Sequence, residues 1–424
     1  MDTRRSGPPT AQSVHRSWWT VAMLGGAVIA LCYGFARYAY GLFVPRFSET
    51  FDLDPVAVGA LSAASTVGYV VGLLVAPAAS AHSARATTVV AGSCATIGLA
   101  VMAVAPGVVS FASGIVVAGA GAGLASPGVA QLIVETVRRD ARTRAQTWAN
   151  TGTGAGLALT AFTPLLPVGW RPIWLGFAVL AAISTAVAAW SLPRAARSEP
   201  ATGPPAAGSR PRPALLLPLL LNSALLGAVS APYWTFSISR VGEAGLSPAV
   251  ATWSWCAIGL VGLAGGTAGR AVERYGLRAT GLAIWTTWSA GIALLALPAP
   301  GPVGAMISAG VFGAGFMALT GLCILWGARL FPAAPSQGVT WSFLALGIGQ
   351  TAGSSLAGTT AGLLGLGPTF ALTGLLALVA WTQMHPRLAP PARADVDELM
   401  PTPPAAAPVT RSAAGPARAQ ENDR

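Results

Sequence analysis

Tyr33-Gly34-Phe35-Ala36-Arg37-Tyr38-Ala39-Tyr40-Gly41-Leu42-Phe43-Val44-Pro45 closes the first long apolar run of the chain, which starts near residue 18. A continuous apolar run of this length is what ~30 Å of hydrocarbon requires of a membrane-crossing helix. Arg37 lies well inside the run. A charge at that depth costs about 2.5 to 3.5 kcal/mol on insertion scales, so it is read first as a functional residue.

Runs of the same kind recur along the chain. Of its 424 residues, 53% are hydrophobic and only 9% charged, with a mean hydropathy of +0.61; a soluble protein carries about 25% charged residues. The runs are continuous rather than alternating, which excludes an outer-membrane barrel and predicts an all-α membrane protein. Twelve transmembrane helices are expected, in two six-helix halves over 18–192 and 215–384. A Pro/Ala/Arg-rich cytoplasmic linker over 193–214 joins them, and polar, disordered tails over 1–17 and 385–424 flank them. The first run is too long for the apolar core of a cleavable signal peptide.

Charge tests this topology. The formal net charge is +11 and every one of the 25 basic residues is arginine. With the N-terminus inside, only Arg46, Arg171 and Arg240 fall in outer loops; apart from Arg37, all the others fall in cytoplasmic loops and tails. That asymmetry predicts both termini in the cytoplasm and explains the basic balance without a nucleic-acid partner. The lack of lysine excludes a Walker A lysine, a Schiff base and a pyridoxal-phosphate anchor. Cys32, Cys94, Cys256 and Cys323 are dispersed through apolar runs, and His15, His82 and His385 fall in loops or tails. No metal site, cofactor or catalytic set is expected, and the chain is not read as an enzyme.

The two halves repeat one another. At an offset of 193 residues Asp54-Pro55 falls on Ser247-Pro248, Thr147-Trp148 on Thr340-Trp341, Gly154 and Gly156 on Gly347 and Gly349, and Tyr40 on Tyr233. Two halves of like orientation imply an axis along the membrane normal and a cavity between them. Glycines four apart, such as Gly68/Gly72, Gly119/Gly123 and Gly349/Gly353, predict close helix crossings.

Gly269-Arg270-Ala271-Val272-Glu273-Arg274-Tyr275-Gly276-Leu277-Arg278 resembles the signature loop G-x-x-x-D-R-x-G-R-[KR] of the major facilitator superfamily, in its second-half position. Glu273 stands for the aspartate; Arg274, Gly276 and Arg278 match. The first-half copy keeps only Arg85, which falls on Arg278. The stretch around Arg37 is similar to the first span of the YbfB/YjiJ-like branch, with Gly34, Arg37, Tyr38, Ala39, Tyr40 and Pro45 matching. The resemblance implies a transporter that works by alternating access, acts as a monomer, and sits in a bacterial inner (plasma) membrane. It assigns Gly269, Glu273, Arg274, Gly276, Arg278 and Arg85 to a cytoplasmic gate, where the carboxylate would pair with arginine or cap a helix. The alternative is an ordinary positive-inside loop.

By the same resemblance, spans 1, 4, 7 and 10 line the path. Helical spacing then selects Tyr33, Arg37 and Tyr40 on span 1 and Asn222, Ser230 and Tyr233 on span 7. Gln131 on span 4 and Thr320 on span 10 complete the candidate substrate site. Arg37 has two readings: it grips an anionic group in the cavity, or it snorkels to the outer surface. Proton coupling is left open, because no carboxylate falls at mid-depth and Glu135, Asp52 and Asp54 read first as interfacial residues. The expected cargo is a small organic anion or amphipathic metabolite. The competing readings are efflux of hydrophobic drugs and, in another class, a transport-dead sensor or intramembrane enzyme.

Overall fold

The computed structural model describes residues 18–193, 213–331 and 335–384. The expected tails over 1–17 and 385–424, and nearly all of the linker over 193–214, lie outside the described residues. What is described is helical throughout. Helix α1 runs Trp18–Phe51. A helix over Pro55–Val104 contains two crossings, α2 (55–82) and α3 (84–104), separated by the non-helical Ser83. Then follow α4 (Val108–Thr136), α5 (Arg139–Thr160), α6 (Trp170–Ser191) and α7 (Pro213–Glu243). The helical stretch Pro248–Ala296 again contains two crossings, α8 (248–275) and α9 (277–296), separated by Gly276. The bundle closes with α10 (Gly301–Leu330), α11 (Pro335–Leu364) and α12 (Leu366–Leu378), the last extended by a 3-10 turn over Val379–Thr382. The twelve crossings match the expected number.

The repeat is visible at the breaks. Ser83 and Gly276 are related by the 193-residue offset. Ser83 turns the chain with extended backbone, whereas Gly276 does so at φ 81°. That conformation is nearly confined to glycine and costs a residue with a Cβ about 1–3 kcal/mol, which accounts for the glycine in the signature loop. The aligned Asp54-Pro55 and Ser247-Pro248 both start helices. Asp54 accepts the Ala57 N–H at 2.7 Å, and the proline after it needs no partner for the amide it lacks.

The outward faces carry large apolar side chains, among them Leu74, Val109, Trp190 and Leu363. In lipid these faces have no hydrophobic drive to pack, so helices approach through small residues. Gly68 and Gly72 of α2 meet α4 backbone at Val116 and Ala120, and Gly119 and Gly123 return the contact. Gly349 and Gly353 of α11 lie against Ala224 and Ala228 of α7.

The crossings alternate direction, so positions 18 and 384 share one end of the bundle. The turns 52–54 and 244–247 share the other, here the hairpin end. Three close crossings join the halves toward the hairpin end. In α1 and α7, Gly41 faces the Trp234 carbonyl; in α2 and α11, Gly59 faces Ser354 and Gly358; in α5 and α8, Gly154 faces Gly259.

Candidate functional site

Helix α1 is not uniform. Between Ala30 and Tyr38 it widens into a π-helix, and the Ala39 N–H reaches back to the Gly34 carbonyl. Gly34 rests against Gly156 of α5, so closely that a Cβ would come within 2.6 Å of its backbone. π segments occur preferentially at functional sites. Here the wider turn places the adjacent residues Arg37 and Tyr38 on the same cleft.

Arg37 is only 7% exposed and points into the protein. Its Nη2 donates to Oε1 of Gln350 on α11 at 2.6 Å. Its guanidinium lies 3.9 Å from the ring centroid of Tyr69 on α2 and 5.3 Å from that of Tyr38. Cation–π attraction of this kind is strongest where water is excluded. Gln350 in turn donates from Nε2 to the Ser230 hydroxyl on α7 at 3.2 Å, and Ser230 donates to the Gly227 carbonyl at 2.9 Å. A chain of hydrogen bonds therefore runs from the first half to the second.

No carboxylate answers this charge among the described residues. Glu49, Asp52, Asp54, Glu135, Asp140, Glu243 and Glu273 are all exposed and lie at or near helix ends. Arg37 is instead surrounded by neutral polar groups. Ser62, Ser65 and Thr66 of α2 and Ser354 of α11 line the same cleft, with Tyr38, Tyr40 and Trp234 as its aromatic walls. The Ser62 hydroxyl bonds Thr235 at 2.8 Å and Ser354 at 3.1 Å, again joining the halves. Tyr38 stacks on Trp234 with centroids 4.1 Å apart. The Trp234 Nε1 is buried without an acceptor among the described residues. The cavity in this cleft measures ≈ 30 Å³. That admits a water or two but no organic solute.

Of the candidates from the sequence, Arg37 and Tyr40 line the cleft, and Ser230 is joined to Arg37 through Gln350. Tyr40 also donates to the Val58 carbonyl at 3.0 Å. Tyr33 packs edge-on against Tyr69 and accepts from Ser126 at 3.2 Å. The other four are engaged elsewhere. Asn222 accepts from the Trp285 indole at 3.1 Å and lies against Cys323, inside the second half. Tyr233 stacks on Phe312 at 3.8 Å and shares a hydrogen bond with Ser308. Gln131 donates to Glu135 one turn along α4, and Thr320 donates back to the Phe316 carbonyl. Sequence reasoning passed over Gln350, Ser354, Ser62, Ser65 and Thr66. A signal was present in Ser62, Ser65, Thr66 and Tyr69, which repeat at helical spacing on an otherwise apolar span.

At the terminal end, Glu273 is exposed and makes no ion pair with a described residue. Arg274 lies over the neighbouring Tyr275 ring. The two arginines related by the offset play parallel roles. Arg85 donates to the Ala189 and Leu192 carbonyls at the end of α6, and Arg278 to the Met384 carbonyl just beyond α12. Arg85 thereby satisfies carbonyls that the α6 C-terminus leaves free, Arg278 ties down the chain just past the last turn, and each acts within its own half.

Comparison with known proteins follows the same line. No curated protein sequence matches the chain. Among solved structures, a D-xylose–proton symporter superposes with TM-score 0.72 at 15% identity, over 88% of this chain and 98% of its own. A variant of the nucleoside transporter NupG gives 0.70 at 14%, over 86% and 98%. A bacterial homologue of the human lysosomal transporter Spinster gives 0.70 at 13%, over 87% and 96%. At these identities the likeness is one of fold. The sequence itself matches a family model, described as "Uncharacterised MFS-type transporter YbfB", over residues 28–384. The chain thus belongs to that family of the major facilitator superfamily, and is a multi-pass membrane transporter rather than an enzyme.

Proposed function

We propose that the transported solute is a small organic anion, bound through its carboxylate at Arg37 between the two halves. One observation carries this reading: a buried guanidinium whose only side-chain hydrogen-bond partner among the described residues is a neutral amide, among lining residues that include no carboxylate. Guanidinium is permanently charged and matches a carboxylate with paired N–H donors. An unneutralised charge in a low-dielectric site favours an anionic ligand. The hydroxyls of Ser62, Ser65, Thr66 and Ser354 suit the polar parts of a metabolite, and Tyr38 and Trp234 its apolar body. The arginine asymmetry of the loops supports termini in the cytoplasm, which makes the hairpin-end crossings an outer gate.

The test is flux into proteoliposomes with a panel of radiolabelled monocarboxylates and neutral analogues of the same shape. Carboxylates should be carried and their amides should not. Arg37→Ala should abolish that flux with normal membrane expression, and Arg37→Lys should restore part of it. Carboxylate flux unaffected in Arg37→Ala would overturn the reading. Preferential transport of hydrophobic cations or neutral drugs would favour the efflux alternative.

A further inference from the structure

We infer that the Gln350 side-chain amide holds the place of the substrate's carboxylate in the empty transporter. The arriving carboxylate displaces it from Arg37 and so unties the halves. This rests on the anion reading of the Arg37 cleft. Gln350 lies on α11, outside the spans expected to line the path.

The geometry assigns Gln350 this role by three features. First, its orientation is fixed at both ends. Ser230 donates its proton to the Gly227 carbonyl, so its oxygen is free to accept, and the Gln350 Nε2 donates to it. The Gln350 Oε1 therefore faces Arg37, at 2.6 Å. The amide presents to the guanidinium one oxygen of the kind a carboxylate has, without the charge.

Second, the exchange is favourable in the required direction. The Arg37–Gln350 bond is already charge-assisted through the guanidinium, but a carboxylate adds the attraction of a full opposite charge in a low-dielectric site and can take two guanidinium donors in parallel where the amide here takes one. A neutral occupant can be displaced by an anion. A glutamate here would form a permanent buried pair with Arg37 and compete with any substrate. Trp234, whose side chain forms part of the cleft wall, keeps its indole N–H buried without an acceptor among the described residues.

Third, the bond spans the interface. Arg37 belongs to the first half, Gln350 and Ser230 to the second. When a carboxylate takes Arg37, the second half loses its hold on the guanidinium. The Ser62 bonds to Thr235 and Ser354 are left as polar ties in this cleft. Substrate binding then changes the balance between closed and open arrangements, as a ligand must if it is to drive alternating access.

The experiment measures binding to purified, full-length protein with a defined panel: acetate, lactate, benzoate and 3-phenylpropionate, each paired with its amide. Tryptophan fluorescence gives the readout, since Trp234 borders the cleft. Wild type should bind at least one acid over its amide. Gln350→Glu, similar in size, should weaken that acid by roughly 100-fold while eluting as a folded monodisperse species, because it supplies an internal counter-ion. Gln350→Met removes the competing oxygen and should bind the acid as well as wild type or up to about 10-fold more tightly. If Gln350→Glu binds the acid as wild type does, the place-holder role is overturned and the anion reading survives. If Gln350→Met loses binding, Gln350 contacts the ligand directly and the role is likewise overturned. If wild type prefers none of the acids to their amides, the anion reading itself falls. Should Gln350→Glu not fold, the Gln350→Met outcome decides alone.

Discussion

Gly41 sits at one of the close crossings between the halves, and adding a single carbon there should act on one conformation only. A Cβ built on Gly41 would lie 1.8 Å from the Trp234 carbonyl oxygen and 3.0 Å from its carbon. Carbon and oxygen require about 3.3 Å even in a weak C–H···O contact, so α1 and α7 must separate by roughly 1.5 Å. The obstacle is backbone, and no rotamer change relieves it. Forcing an extra methyl into a packed contact costs typically about 1–3 kcal/mol. That cost falls on the state in which the hairpin end is closed. It is absent once the halves part there, so Gly41→Ala should shift the ratio of the two states roughly 5- to 150-fold toward opening at the hairpin end. Spin labels on Glu49 and Gly242, both exposed near the hairpin ends of α1 and α7, report the separation by pulsed electron resonance in a background lacking the four cysteines. The distance distribution should gain a longer component. Gly176→Ala is the control, since its Cβ would meet nothing within 4 Å. If Gly41→Ala reproduces the parent distribution, the α1–α7 crossing does not limit opening and the argument fails.

Other outcomes follow from individual contacts. Arg85→Ala and Arg278→Ala should each lower thermal stability in detergent by about 1–3 kcal/mol, by leaving carbonyls at the end of α6 and just beyond α12 without a charged donor. Because the two act in different halves, their effects should add; strong coupling in a double-mutant cycle would refute the separate-caps account. Glu273→Gln should change the melting temperature little, within about 0.5 kcal/mol, since the carboxylate is exposed and has no ion pair among the described residues. A large loss would show that it is paired in solution. Asn222→Leu should cost about 1–3 kcal/mol by orphaning the buried Trp285 N–H. It should leave carboxylate binding at Arg37 unchanged, and loss of binding by the folded variant would return Asn222 to the site.

Much of this architecture was legible in the sequence because lipid makes strong demands. Run length, arginine placement and the 193-residue offset fixed the number of crossings and the pairing of the halves. The offset also related Ser83 to Gly276 and Arg85 to Arg278. The site was legible only in part. Arg37 announced itself by the cost of its burial, and Ser230 by the offset from Arg37. Tyr233 and Asn222 satisfied the same helical spacing, yet they spend their polar atoms inside their own half, on Ser308 and Trp285. Spacing gives the face of a helix but not its rotation within a bundle. Gln350 was missed because span 11 was set aside as a path-lining helix, and a lone glutamine in a small-residue span carries little signal. The expectation for the signature loop was of a latch at Glu273. The structure shows Arg278 and Gly276 in evident physical roles, and Glu273 makes no ion pair with a described residue.

The π-helical stretch of α1 has a consequence for how this span tolerates change in length. Deleting one residue from a regular helix turns everything beyond it by roughly 100° and draws it in by about 1.5 Å. The stretch Ala30–Tyr38 is wound more widely than its flanks and holds surplus chain. A one-residue deletion within it can be absorbed by tightening to α-helical winding, with Trp18–Ile29 and Ala39–Phe51 kept on their present faces.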